Sequence, residues 1–206
     1  MPYLVFLLSP ANCSGKRASY LLREDGRSAL AQRLRTDAGA TLGEVYTFMS
    51  GLYFRGKLAY ATTFAAPPPD CAGVQVITPG CGLRDAATVI TLAELRAIAE
   101  VPVDPDDGRY SRPLSQDAAR LADQLPAGSR AVLLGSLATA KYLLPLCEAL
   151  GNRLMYPEEF IGLGDMSRGA LLLRRAAEGQ QLTYGSAPLP GMAGRPRRRS
   201  TATARS

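Results

Sequence analysis

The sequence predicts an α/β domain with a mixed or mostly parallel sheet of about four to six strands and helices on both faces. Three observations carry that expectation. Tyr3 to Leu8 is a continuous apolar run, as suits a strand covered on both faces. Val74 to Thr78 and Arg130 to Leu134 repeat the pattern, and each of the three runs leads into a turn of small or Gly-rich residues. Helical spacing of apolar residues fills the intervals between them.

In chain order, the first strand leads to Ser9–Gly15, a small polar turn, and then to Lys16 and Arg17. Residues 17–24 and 27–38 read as helical, with Leu30 and Leu34 on one face and Gly39 as a C-cap. Residues 42–65 read as a short helix, a break at Ser50-Gly51 and a longer helix, ended by Pro67-Pro68-Pro69. Tyr46, Tyr53 and Tyr60 lie seven residues apart, which suits a core seam or an aromatic wall beside the first loop. After the second strand, Pro79 to Asp85 reads as a Gly-rich loop. Thr91 to Glu94 is a capping box opening a helix that ends near Glu100.

Residues 101–114 read as a Pro- and Asp-rich loop, followed by a helix over 115–125. Behind the third strand, Gly135 to Thr139 turns into another helix. Arg153–Tyr156 reads as a fourth strand, Asp165 as the N-cap of a helix over 170–177, and Gln180–Tyr184 as a last strand. The domain is expected to span 1–187. Residues 188–206, rich in Pro, Gly, Arg, Ser and Thr, are expected to be a disordered basic tail.

Composition narrows the chemistry. The chain has 206 residues, no histidine and four cysteines, at 13, 71, 81 and 147. Without histidine there is no Ser-His or Cys-His nucleophile pair and no imidazole acid–base group. No cysteine pair has C-x-x-C spacing, so a metal site is not expected, nor is any cofactor called for. The formal charge is +6, but five arginines lie in the last dozen residues, which leaves about +1 for the rest. No apolar run reaches the ~20 residues of a membrane span, and the N-terminus lacks signal-peptide features, so a cytoplasmic protein without a membrane partner is expected.

In open α/β sheets, ligands bind outside the carboxyl ends of the strands, so the strand-end loops should converge on one cleft. Gly15-Lys16 resembles the end of a Walker A motif, but Pro10 and Arg17 stand where that motif needs Gly and Ser or Thr. A looser anion site remains, built on Ser9, Ser14, Gly15, Lys16 and Arg17. Gly82, Arg84, Ser136, Lys141 and Arg168 are the further ligand-binding candidates, with Tyr46 and Tyr53 available for stacking. Arg168 sits in a first helical turn, where a cation is unfavourable unless an anion is bound. Cys13, near a helix N-terminus and two cations, is expected to have a lowered pKa. Cys13, Asn12 and Asp85 are the catalytic candidates, should there be catalysis.

Several of these motifs resemble, in order, those of the YaaA family, which is linked to the peroxide stress response. Ser9-Pro10-Ala11 resembles that family's I-S-P-A-K opening, and Gly43-Glu44-Val45-Tyr46 its G-[DE]-V-Y segment. Thr78 to Arg84 occupies the place of S-G-L-Y-G-x-L-R, Leu134 to Tyr142 resembles N-L-A-S-x-E-Y, and Ser167 to Leu171 resembles A-R-G-x-M. Asn12 stands where the family has lysine, Lys141 where it has glutamate, and the family's DNA-binding helical insertion has no room here. Asn12 to Lys16 also resembles the C-S-x-K starts of two other groups. One is a uracil-DNA-glycosylase-like domain linked to archaeal tRNA transglycosylases. The resemblance implies a stress-related, DNA- or nucleotide-binding protein. The alternatives are an enzyme acting on a nucleobase or nucleoside, and a non-catalytic interaction module.

Overall fold

The computed structural model describes residues 2–136 and 140–187. Leu137, Ala138 and Thr139 of the expected third loop, and the expected tail 188–206, lie outside the described residues.

Four parallel strands form the centre: β1 (Leu4–Leu8), β3 (Val74–Thr78), β6 (Arg130–Leu134) and β7 (Leu154–Pro157). Two antiparallel strands flank them, β4 (Gly82–Asp85) and β8 (Tyr184–Ser186), in the order β4-β3-β1-β6-β7-β8. β1 pairs on both sides and all five of its residues are buried, which is why its sequence is apolar without alternation.

The period of two along each strand divides the core into two layers. Phe6, Leu8, Val76, Val132 and Leu134 face one side. There they meet α1 (Lys16–Leu22), α2 (Ala29–Arg33), α3 (Leu42–Ser50), α4 (Leu52–Phe64), α5 (Leu92–Ala99) and α8 (Asp165–Glu178). Val5, Leu7, Ile77, Ala131 and Leu133 face the other side, against α6 (Gly108–Gln124) and α7 (Ala140–Leu150). The expected sheet, with helices on both faces, is therefore present. Each fully buried Leu or Phe in these layers stabilises the fold by about 2 kcal/mol.

Several expectations need correction. α8 begins at Asp165 with Gly164, not Asp165, as its N-cap, and the last strand is Tyr184–Ser186 rather than 180–184, because only Tyr184 onward pairs with β7. The helix expected over 27–38 shortens to α2, and Gly39 (φ +53°) instead brings the short strand β2 (Ala40–Thr41) against β5 (Val89–Ile90). The Gly-rich loop after β3 is a tight turn followed by β4. The loop expected over 101–114 ends at Asp107, whose carboxylate accepts from the Arg109 N–H at 2.9 Å and caps α6. Pro113 lies inside that helix, where Tyr110, Leu114, Ala118 and Leu121 form one buried stripe.

α4 and α8 cross with their backbones almost touching. A Cβ on Gly56 would stand 2.5 Å from the Gly169 carbonyl, and one on Gly169 would stand 2.9 Å from that of Leu52. This contact fixes α4, whose Lys57 reaches Ser9 at the end of β1. Among the described residues, no helix is long and apolar enough to cross a membrane.

Candidate functional site

The parallel strands deliver their carboxyl ends to one side of the molecule. β1 is joined to β3 on one flank, whereas β6 follows β3 in sequence and lies on the other flank of β1. The strand order therefore reverses between β1 and β6, the place where open α/β sheets leave a crevice. Ser9 and Gly135 leave the sheet there. The Ser9 N–H still donates to the Leu134 carbonyl, at 3.2 Å. A Cβ on Gly135 would lie 2.9 Å from Ser9 Cβ and 3.2 Å from both Ser9 Oγ and the Tyr142 hydroxyl. Glycine at 135 is thus required by close approach. The Tyr142 hydroxyl accepts from the Ser136 N–H and donates to its carbonyl, each at 2.9 Å.

Beneath this corner lies Lys57, which the sequence reading did not select. Its Nζ donates to the Ser9 carbonyl at 2.7 Å and lies 2.9 Å from Ser9 Oγ. The side chain is 1% exposed and passes over the rings of Tyr53 and Phe54, at 4.6 and 4.8 Å. Among the described residues, no acidic side chain forms an ion pair with it. Burial pushes its pKa down to about 7, against the opposing pull of Asp165. A signal was available in the sequence. Tyr53, Lys57, Tyr60 and Phe64 follow helical spacing, which puts a lysine on the apolar face of α4.

On the outer side of the first loop lies a groove of about 790 Å³. Asn12, Cys13, Ser14 and Lys141 line it, facing the segment from Glu100 to Asp104. Asn12 Oδ1 accepts from the N–H and the hydroxyl of Ser14, at 2.9 and 2.7 Å, which holds the loop as an Asx turn. Cys13 departs from its expected chemistry, because burial pushes its thiol up to about 11, only partly offset by the Tyr46 hydroxyl. At neutral pH it is a thiol, not a thiolate. Lys16 and Arg17 are exposed, and the Arg17 guanidinium lies over Gly51. α1, with Gly15 as its N-cap, is only seven residues long, so its dipole is short.

The remaining predicted residues do not gather here. Tyr46 is fully buried, edge-on to Phe54 at 5.4 Å, and Tyr53 is 8% exposed, so neither ring face is open for stacking. Burial raises the pKa of both. Gly82 (φ +69°) is buried under α6, where Asp117 accepts from the Leu83 N–H at 2.9 Å. Arg84 pairs with Glu94 at 3.6 Å, which ties β4 to α5. β4 runs antiparallel and carries Asp85 to the amino end of β3, opposite Gln75. That is about 10 Å from the turn, at ~3.4 Å per residue. Asp85 accepts there from the Ala87 N–H at 2.9 Å.

Arg168 is held by the chain itself. Its Nε and Nη2 donate to the Phe160 carbonyl at 3.3 and 3.1 Å, its guanidinium stacks on the Phe160 ring at 5.3 Å, and Asp165 lies 3.7 Å away. The unfavourable place of this cation in a first helical turn is answered by Asp165 in the same turn. Among the described residues, no group of three or more acidic or cysteine side chains is gathered to hold a metal ion. No family model, curated protein or solved structure matches the chain.

Proposed function

We propose that the protein binds a phosphate-bearing nucleotide, free or within a nucleic acid, over the carboxyl ends of β1, β3 and β6. The observation that carries this reading is the reversal of strand order between β1 and β6, with the 790 Å³ groove opening beside it. The groove's charges favour a small ligand over a long polyanion, because Lys141 faces Glu100 and Asp104. Lys141 and Ser14 suit a phosphate, and the two carboxylates suit ribose hydroxyls or a base amino group. The resemblance to the YaaA family supports the same ligand class, and a cytoplasmic, stress-related role belongs to the same proposal.

Calorimetric titration of the full chain with mono-, di- and triphosphate nucleotides and with short oligonucleotides tests this. A mononucleotide should bind, and Lys141→Ala should weaken it about tenfold, the share of one charge-assisted contact. Absence of binding at millimolar ligand across the set would reject the reading, as would an affinity indifferent to both Lys141→Ala and Glu100→Gln.

A further inference from the structure

We propose that Ser9 and Lys57 form a nucleophile–base pair, which makes the crevice between β1 and β6 a histidine-free centre for hydrolysing a small ester or amide. The inference goes beyond nucleotide binding and does not depend on it. In a chain without histidine, a base for a serine hydroxyl must come from another side chain. Lysine serves in that role when burial keeps it neutral and a serine lies within hydrogen-bond reach. Lys57 meets both conditions, with Nζ 2.9 Å from Ser9 Oγ and the side chain 1% exposed.

The hydrogen-bond count agrees. A neutral amine has two N–H donors and one lone pair. One N–H is used on the Ser9 carbonyl at 2.7 Å; the 2.9 Å contact to Ser9 Oγ, a donation from Nζ when the lysine is charged, becomes in the neutral amine the one in which the lone pair accepts the hydroxyl proton. Ser9 Oγ and the Tyr142 hydroxyl both border the space that a Cβ on Gly135 would fill, each 3.2 Å from that position. The charged groups that act on the pair come from α8. Asp165 raises the proton affinity of Lys57 and is itself paired with Arg168, 3.7 Å away. From α4, the Tyr53 ring lies 4.6 Å from Lys57 Nζ, and burial raises the pKa of its phenol.

The steps balance with water as the only co-reactant. Ser9 Oγ adds to the carbonyl carbon while Lys57 Nζ takes the hydroxyl proton. The bond to the leaving alcohol or amine breaks as Lys57 returns that proton to it, which leaves an acyl-Ser9 ester. Water then adds to the ester carbonyl and gives a proton to Lys57. Ser9 Oγ departs as the acyl bond breaks and recovers the proton, releasing a carboxylic acid.

The test is labelling of the full chain with a small sulfonyl fluoride, which needs no knowledge of the natural substrate, followed by peptide mass spectrometry. A single adduct on Ser9 is expected, forming faster as pH rises from 6 to 8 with a midpoint near the Lys57 value of about 7. Ser9→Ala should abolish it, and Lys57→Met should slow it by about 100-fold, the lower end for loss of a general base. Lys57→Met places an apolar side chain in an apolar setting, so a folded variant is expected and circular dichroism checks it. Hydrolysis of p-nitrophenyl acetate should follow the same variants. The proposal is overturned if folded wild-type protein leaves Ser9 unmodified at pH 8.5. A labelling rate at Ser9 that is independent of pH, or equal in Lys57→Met, overturns it as well.

Discussion

The inner and outer sides of the first loop are built on opposite principles. On the inner side, Ser9 is held between Lys57 and Gly135, with 7% of its surface exposed. On the outer side, Asn12, Ser14 and Lys141 stand in an open groove facing Glu100 and Asp104. Charge is scarce and unpaired inside, plentiful and balanced outside. A solvated cation interacts weakly, because water screens it, whereas a buried one acts through proton affinity and short contacts. The cations that stand out in the sequence, Arg84 and Arg168, prove to be engaged with the protein itself. The lysine on the apolar helical face is instead buried and held by the Ser9 carbonyl, without an acidic partner among the described residues.

The largest expected effect on this contrast comes from moving the helix that carries Lys57. Gly56→Ala forces a Cβ to within 2.5 Å of the Gly169 carbonyl, a backbone atom that cannot step aside. Urea unfolding should show a loss of about 3 kcal/mol, despite the better helix propensity of alanine. A loss below about 0.5 kcal/mol, the ordinary size for surface changes, would mean the helices can part without cost, and the inner side would not be rigid.

Next in size is a pH effect specific to Lys57. Its pKa is about 7 in the folded state, against an ordinary 10.5. Between these values the unfolded chain binds the proton and the folded chain does not, so stability rises with pH across that window. Below about pH 7 both states are protonated and the effect levels off. Relative to Lys57→Met, the wild type should gain about 2 kcal/mol between pH 7 and pH 9 in paired denaturation curves. Parallel curves would show that Lys57 keeps its charge in the core.

The smallest effect separates support from binding at Arg168. Arg168→Gln loses the hold on Phe160 and should cost about 1 kcal/mol of stability, leaving nucleotide affinity within about twofold. A tenfold loss of affinity at unchanged stability would return Arg168 to the ligand.

The fold was legible where local signals agree with tertiary need. The apolar runs of β1, β3 and β6, the break at Gly51 and the Thr91–Glu94 capping box all appear where the sequence puts them. β4 was missed because Gly82-Leu83-Arg84-Asp85 has turn-like composition, and only its pairing with β3 makes it a strand. The start of α6 was hidden by Gly108 and Pro113, which disfavour helix locally and are overridden by the stripe from Tyr110 to Leu121. At the site, Asn12, Cys13, Ser14 and Lys141 were found as neighbours because strand ends must converge. Lys57 was not, since its importance depends on Ser9, which is distant in sequence and adjacent only through the α4–β1 packing.

The two borders of the sheet have a consequence for self-association. β4 and β8 are four and three residues long, and each runs against its neighbour. Borders this short offer few open N–H and C=O groups to a foreign strand, which guards against edge-to-edge polymerisation. β8 is further moored by Tyr184, whose hydroxyl meets that of Tyr60 at 2.6 Å, while the Tyr60 hydroxyl accepts from the Leu182 N–H at 2.7 Å. The hydroxyl contact joins Tyr60 of the core to the half-buried Tyr184 and so ties the last strand to α4.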